Sequence, residues 1–409
     1  MIRNLAWVTL HHGVGRAAVF VFFLALPRLL GIEVTGRFTL WYTVILMLCQ
    51  PLLDFSLNMV VVKYTARGDV GVVRRAFIFA AGFFPLLLLG LYVVALVGPW
   101  PDDLIGLLLL SFGLSLSLNL VFSYFRGLED LRIEGVVGGG SKLLGPFLLF
   151  ALVALGVGAP DPGPWLPALA MVGVGIGGWV LLMVFFSGRL QKLVAALRTA
   201  APAERSGFSL VREGLALGAV GLVCVLYLRI DVVMLGAMVG ESEVGFYFTA
   251  SKIVETAFIV PHILMLVVFP RLVKAPDVAP LLRRFSWMLA GLSLVASAAV
   301  IALGIWAVPA IYGSSLARIS TMVFALAPTI APVYLGYLFT QLLVVRDLQG
   351  RYLAIAVAGL VLNLALNALL IPTYQGVGAA AATVATELLI TAAAVVTALR
   401  AAPASGSDR

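Results

Sequence analysis

Apolar stretches of about 20 residues follow one another along this chain with only short polar segments between them. An α-helix of about 20 residues is roughly 30 Å long, which matches the hydrocarbon core of a bilayer. The 409 residues are 62% hydrophobic and 11% charged, whereas soluble proteins are roughly 45 to 50% apolar and about 25% charged. A soluble fold would leave much of this apolar surface in water. The sequence therefore predicts an all-α integral membrane protein.

Hydropathy divides the chain into about twelve predicted spans. They cover residues 5–29, 38–64, 77–97, 104–124, 133–157, 165–186, 210–239, 244–269, 285–311, 319–345, 352–371 and 377–399. The longest polar segment lies between the sixth and the seventh span. We therefore predict an N-terminal lobe at residues 1–187, a cytoplasmic linker at 188–209, a C-terminal lobe at 210–400 and a cytoplasmic tail at 401–409.

The two halves of the chain repeat each other at a constant offset of 209 residues. Gly31 matches Gly240, and Arg75 matches Arg284. Six spans are an even number, so both halves enter the membrane in the same direction. The expected fold has two six-helix lobes related by a pseudo-twofold axis along the membrane normal. A transport path between two such lobes is the natural architecture.

The formal net charge of +8 comes from basic residues at the ends of apolar stretches, so we expect no nucleic acid partner. These residues concentrate in alternate loops, for example Arg74 and Arg75 after the second span, whereas the GESE loop at 240–243 has none. The positive-inside bias then predicts a multi-pass protein of the cytoplasmic membrane with both termini in the cytoplasm. Arg37 and Arg318 fall on the opposite side and are exceptions.

Motifs for soluble chemistry are weak or missing in this sequence. GVGIGG at 173–178 has the spacing of a dinucleotide-binding loop but lies inside an apolar span, where close helix packing is the better interpretation. The predicted external loops are too short to carry a catalytic domain. The sequence contains no ATP-binding motif and no metal-ligand spacing. We expect a transporter without a cofactor rather than an enzyme.

Basic side chains inside the spans are the clearest functional signal, because a charge at the bilayer centre costs at least about 2.5 to 3.5 kcal/mol. The basic residues well inside predicted spans are Arg16, Lys142, Arg229 and Lys252. Arg229 lies roughly 15 Å from the outer end of its span at 1.5 Å per residue. Arginine matches phosphate oxygens in geometry. Arg16 and Arg229, in corresponding spans, would point at one central cavity, which suits an anionic headgroup.

The acids inside the spans are Asp54, Asp231, Glu255 and Glu387. Lys252 and Glu255 are three residues apart and can pair along one helix, whereas the side chains of Arg229 and Asp231 point to different sides. Two interpretations of the acids remain open. A carboxylate in a wet cavity can bind and release H⁺ or Na⁺ during transport. Alternatively, Asp231 and Glu387 only balance the charges of Arg229 and Lys252.

Three stretches of the chain carry a family resemblance. They read PLLDFSLNMVVVKYTARGD at 51–69, RIDVVMLGAMVGESEVGFYFTASKIVE at 229–255 and NLALNALLIPTYQGVGAAAATVATE at 363–387. These stretches resemble the polysaccharide and lipid-linked oligosaccharide flippases of the multidrug/oligosaccharidyl-lipid/polysaccharide exporter superfamily. In the first stretch, Ser56 stands where these flippases usually have glycine.

The resemblance implies an O-antigen flippase-like transporter that alternates between inward-open and outward-open states. It would carry a polyprenyl-(pyro)phosphate-linked oligosaccharide through a cationic cavity. By position, the resemblance implies substrate binding by Arg16, Lys142, Arg229 and Lys252, and coupling to a Na⁺ or H⁺ gradient or to the membrane potential. Expected partners are membrane lipids, a glycan polymerase and glycosyltransferases. The alternative is a cation-coupled multidrug exporter of the same superfamily.

Overall fold

The protein is almost entirely helical. The computed structural model describes residues 2–53, 57–98, 101–160, 162–201, 207–274, 277–346 and 348–400, and none of these residues forms a β-strand. The chain separates into two compact units, Met1–Leu222 and Val223–Arg409. The predicted all-α membrane class is therefore confirmed, while the division of the chain at a linker over 188–209 stays a prediction.

The first unit contains the helices of the first six predicted spans. They are α1 (Ile2–Leu30), α2 (Ile32–Leu53), α3 (Leu57–Ala66), α4 (Val70–Val97), α5 (Asp102–Gly127), α6 (Gly139–Ala154) and α7 (Trp165–Thr199). A π-helical turn, Glu134–Gly138, runs directly into α6. Asp54, between α2 and α3, lies outside the described residues.

Helix α8 (Gly207–Met238) begins in the first unit and ends in the second. The helices that follow are α9 (Glu241–Glu255), α10 (Ile259–Lys274), α11 (Ala279–Ala302), α12 (Val308–Tyr312), α13 (Arg318–Leu326), α14 (Ile330–Val345) and α15 (Gln349–Arg400). The turn Thr256–Phe258 is a 3₁₀ turn that separates α9 from α10 within the predicted eighth span.

Ten helical segments in the described part of the chain are long and apolar enough to cross a membrane. The last of them, α15, leaves helical geometry at Gln375 (φ 53°, ψ −133°) and therefore holds both predicted spans of this region. Helix α8 adds 32 residues that match the predicted seventh span. The helices thus agree with the prediction of about twelve spans in a multi-pass membrane protein.

Each unit, taken by itself, packs equivalent spans together. In the first unit α3 packs on α5 and α5 packs on α7, which joins spans two, four and six. In the second unit α10 packs on α14, and α14 packs on α15, where the Thr391 hydroxyl donates to the Pro332 carbonyl at 2.8 Å. The repeated glycines Gly31 (φ 84°) and Gly240 (φ 125°) both adopt backbone conformations that favour glycine. The repeat seen in the sequence is therefore also a repeat of packing.

The glycines of GVGIGG let α7 approach two neighbouring helices. A Cβ atom added at Gly173 would lie 2.4 Å from Leu148 of α6. One added at Gly175 would lie 2.7 Å from Leu114 of α5. Both distances are shorter than van der Waals contact. The Leu148 methyl group can move aside, but Leu114 is met at its Cβ atom, so a larger residue at Gly175 would force α7 and α5 apart. This confirms the prediction that the motif serves helix packing.

The loops after the second, fourth and sixth spans meet at one end of the first unit. The guanidinium of Arg74 donates to the Ala200 carbonyl at 2.8 Å. Arg189 of α7 pairs with Asp130, which follows α5. Spans that alternate in direction bring every second loop to the same side. The contacts therefore fit the alternation that the charge pattern predicts.

A hydrogen-bonded cluster around the buried carboxylate of Glu243 joins three turns of the second unit, and we name it the Glu243 clamp. The Arg318 guanidinium donates to both oxygens of Glu243 at 2.7 Å and to Gln375 Oε1 at 2.6 Å. The backbone N–H of Gly376 donates to the same carboxylate at 2.9 Å. The Glu243 side chain is only 8% exposed. Arg318, which is an exception to the loop charge pattern, thus forms an ion pair with Glu243 in which the two charges cancel.

Candidate functional site

Two basic side chains share one carboxylate in the second unit. Arg229 Nη1 donates to Glu255 Oε1 at 2.9 Å, and Lys252 Nζ donates to Glu255 Oε2 at 2.7 Å. Both cations also lie over the ring of Phe248, with Lys252 Nζ 4.8 Å and Arg229 Cζ 5.9 Å from its centroid. These four residues form the cationic cluster. Its ionised groups carry two positive charges and one negative charge.

Local sequence explains how α9 builds its part of the cationic cluster. Phe248, Lys252 and Glu255 follow one another at helical spacing, so their side chains lie on one face. Glu255 is the last residue of α9, directly before the 3₁₀ turn Thr256–Phe258. Arg229 reaches this face from α8. The predicted pairing of Lys252 with Glu255 is confirmed, whereas the pairing of Arg229 with Glu255 was not predicted.

Asp231 lies two residues beyond Arg229 but has different partners. Its carboxylate is 5% exposed and accepts hydrogen bonds from the Val232 backbone N–H at 2.8 Å and from the Tyr247 hydroxyl. The oxygen of Tyr247 lies 3.3 Å from that of Thr383 on α15. Asp231 thus connects three helices through hydrogen-bonding side chains.

Glu387 of α15 accepts a hydrogen bond from the Tyr227 hydroxyl of α8. Both membrane acids that were candidates for charge balance, Asp231 and Glu387, are therefore bonded to tyrosines. Glu255 is instead the carboxylate that pairs with Arg229 and Lys252. Sequence reasoning missed Tyr227 and Tyr247, because two tyrosines among many aromatic residues of apolar spans carry no distinguishing signal.

The first unit holds the other two predicted substrate-binding residues, Arg16 on α1 and Lys142 on α6. Arg16 is half-buried and makes no hydrogen bond or ion pair within the part of the chain that the structure describes. The side chain of Lys142 runs along α1, where a Cβ added at Gly15 would lie 2.9 Å from its Cδ and 3.5 Å from its Nζ. Neighbouring positions on α1 thus bring Lys142 and Arg16 to one region of the unit.

Replacing Gly15 with alanine is expected to displace Lys142 without unfolding the protein. The flexible lysine can move away from the added methyl group, so stability should change little. If Lys142 contacts substrate, its displacement weakens a charged hydrogen bond, and we expect about tenfold lower substrate affinity.

The control for this prediction is Gly13→Ala on the same helix, where an added Cβ meets no atom within 4 Å. Binding of substrate to the purified variants measures both effects. In a Lys142→Ala background, Gly15→Ala should have no further effect. An equal loss in that background would mean that Gly15 acts only through helix packing.

The amino-acid sequence also matches a known protein family. Residues 1–275 match the family model described as polysaccharide biosynthesis protein. The chain belongs to the polysaccharide biosynthesis protein family. No curated protein matches the sequence of this family member.

Solved structures similar to this polysaccharide biosynthesis protein are transporters. Lipid II flippase MurJ in an inward closed conformation has a TM-score of 0.69 and 11% identity, covering 97% of this chain and 87% of MurJ. The Vibrio cholerae MATE transporter VcmN in the bent form has a TM-score of 0.61 and 11% identity, covering 98% of both chains. A MOP superfamily transporter from Pyrococcus furiosus, described as having a binding pocket of reverse polarity, has a TM-score of 0.60 and 14% identity, covering 97% of this chain and 93% of its own.

The structural similarity establishes the fold, and at identities this low it establishes the fold only. The fold is that of the MOP superfamily. The chain is thus a polysaccharide biosynthesis protein with the fold of transporters such as MurJ and the MATE proteins.

Proposed function

We propose that the protein flips a polyprenyl-(pyro)phosphate-linked oligosaccharide across the cytoplasmic membrane by alternating access. The phosphate group would bind basic side chains while the polyprenyl tail stays in lipid. Arg229 and Lys252 are the proposed phosphate ligands of the second unit, and Arg16 and Lys142 those of the first. A glycan polymerase and glycosyltransferases are the expected partners of such a flippase.

The cationic cluster, in which two basic side chains meet, is the observation that carries this proposal. Two cations share one carboxylate there, and all three side chains are largely or half buried, with 19%, 13% and 33% of Arg229, Lys252 and Glu255 exposed. A charge within a membrane span costs at least about 2.5 to 3.5 kcal/mol, so two neighbouring cations favour an anionic ligand. A diphosphate group is such an anion, and its oxygens match the geometry of the arginine guanidinium.

A cation-coupled multidrug exporter is the alternative, and ligand charge separates the two functions. We expect purified protein in nanodiscs to bind a polyprenyl diphosphate, with binding weakened at high salt, and not to bind a cationic dye such as ethidium. Tryptophan fluorescence can follow both titrations. Binding of the dye without binding of the lipid diphosphate would contradict the flippase proposal.

Asp231 and Glu387 are the proposed coupling residues, because Glu255 is already occupied by two cations. A carboxylate that binds and releases H⁺ or Na⁺ as the units move would couple transport to the membrane potential. Moving one charge through 100 mV is worth about 2.3 kcal/mol, which biases the cycle roughly fiftyfold. We expect Asp231→Asn and Glu387→Gln to reduce the response of flipping to an imposed potential.

Proteoliposomes containing a fluorescent lipid-linked sugar provide the coupling measurement, with and without a potential and at several pH values. The matched control is Glu241→Gln, since Glu241 lies in the first turn of α9, in a turn between spans. If both variants respond to potential and pH like the wild type, the two acids are structural.

Both termini and the long basic loops are proposed to be cytoplasmic. Two exposed residues lie on opposite sides in this topology, namely Ser242 in the first turn of α9 and Lys192 near the end of α7. We expect an impermeant thiol reagent to label Ser242→Cys but not Lys192→Cys in intact cells, on a background lacking Cys49 and Cys224. Labelling only of Lys192→Cys would reverse the proposed orientation.

A further inference from the structure

A small cavity with a mixed polar and apolar lining lies in the first unit, among α5, α6, α7 and the π-helical turn. Its volume is about 120 Å³. Its polar and aromatic lining consists of Ser115, Asn119, Phe122, Glu134, Ser141 and Lys142. The π-helical turn Glu134–Gly138 forms one wall, and such turns occur frequently at functional sites.

Two uncharged polar side chains of this cavity have unused hydrogen-bonding groups. Within the described residues, neither Ser115 nor Asn119 makes a side-chain hydrogen bond. The next serine on the same helix behaves differently, since Ser117 accepts a hydrogen bond from Trp179 Nε1 at 3.1 Å. A half-buried amide and hydroxyl without protein partners need water or a ligand to satisfy them.

Hydrogen-bonding capacity decides between a phosphate and a hydroxyl-bearing ligand. The cavity lining contains one acid, Glu134, and one cation, Lys142. Arg126 donates to both oxygens of the Glu134 carboxylate, at 2.7 and 3.1 Å, which fixes the position of that group. Both this carboxylate and a deprotonated phosphate only accept hydrogen bonds, so they cannot bond to each other. Neutral hydroxyl groups can instead donate to Glu134 and accept from the amide of Asn119.

The size of the cavity limits how much of a ligand it can hold. A cavity of about 150 Å³ accommodates benzene, so 120 Å³ holds slightly fewer atoms than a six-membered ring. One edge of a sugar, with its hydroxyl groups, fits this volume, whereas a whole disaccharide does not. The aromatic ring of Phe122 offers an apolar face for the carbon atoms of that edge.

We propose that this cavity binds the hydroxyl-bearing edge of one sugar of the transported glycan, with Asn119 and Ser115 as sugar ligands. The inference rests on the proposed flippase function. It assigns sugar recognition to a site in the first unit, separate from the phosphate-binding role of the cationic cluster.

Full-length protein in nanodiscs allows a direct test with two kinds of probe. One is a polyprenyl diphosphate without sugar, and the other is the same lipid bearing a hexose or an N-acetylhexosamine disaccharide. We expect wild-type protein to bind at least one sugar-bearing lipid more tightly than the bare lipid. Asn119→Ala and Ser115→Ala should each reduce affinity for that lipid about threefold to tenfold and leave binding of the bare lipid unchanged.

Ser117→Ala is the matched control, because it removes the same hydroxyl two residues away but outside the cavity. It should leave affinity for both lipids unchanged. The inference fails if the sugar does not increase the affinity of the wild type for the lipid, or if Asn119→Ala and Ser115→Ala keep the full increase. It also fails if these variants reduce the affinity for both lipids equally. In these cases the bare lipid still binds and the flippase proposal stands. Wild-type protein that binds neither lipid would overturn the flippase proposal itself, and this inference with it.

Discussion

Replacing Arg229 with alanine is expected to abolish export of the surface glycan while leaving the amount of protein in the membrane unchanged. The guanidinium would contribute charged hydrogen bonds to the phosphate of the cargo, each worth about 1.5 to 3 kcal/mol. Two such bonds correspond to at least about a 100-fold loss of transport. The fold should survive, because Glu255 keeps its 2.7 Å bond to Lys252 in the variant. Glycan display on cells and immunoblotting of membranes measure both quantities.

Two further variants make this result specific. Arg229→Lys should be partly active, since a point charge replaces a planar fork. Arg351→Ala removes an exposed arginine at the start of α15 and should not affect export. Normal glycan display by Arg229→Ala would refute the role of Arg229 as a phosphate ligand.

Loss of Arg318 is expected to destabilise the second unit substantially. The alanine variant leaves the Glu243 carboxylate, 8% exposed, with the Gly376 N–H as the remaining donor of the Glu243 clamp. Breaking a buried ion pair costs about 3 to 5 kcal/mol, and we expect about 2 to 3 kcal/mol here because Arg318 itself is 42% exposed. Thermal unfolding of purified protein in detergent should show a drop of several degrees.

Arg37 is the matched control for this prediction. Arg318 and Arg37 are the two exceptions to the loop charge pattern, but Arg37 pairs with Glu33 at 3.9 Å between side chains that are 43% and 70% exposed. Its replacement by alanine should change stability by less than about 1 kcal/mol. The double variant Arg318→Met with Glu243→Gln should be more stable than Arg318→Ala, because no buried charge is left alone. Equal unfolding temperatures for Arg318→Ala and Arg37→Ala would show that the clamp contributes little.

The spans could be predicted from sequence because a bilayer demands long apolar helices, and the repeat of glycines such as Gly31 and Gly240 located the equivalent halves. The pair Lys252 and Glu255 was also predictable, since helical spacing alone brings the two residues together. Arg229 and Glu255 are 26 residues apart, and Glu243 and Arg318 are 75 apart. Contacts over such distances depend on how spans pack, which neither hydropathy nor local spacing encodes. The cavity around Asn119 escaped prediction for the same reason.

Helix α7 is longer than a bilayer requires. Its 35 residues extend about 52 Å at 1.5 Å per residue, against a hydrocarbon core of about 30 Å. Beyond the kink at Phe186, Leu193 is 2% exposed and packs in the core of the first unit, while Lys192 is exposed. A small globular protein fused in helical register at the end of α7 would therefore be attached through a helix that is packed against this unit. It would provide the asymmetric mass that single-particle imaging needs from a transporter with short loops.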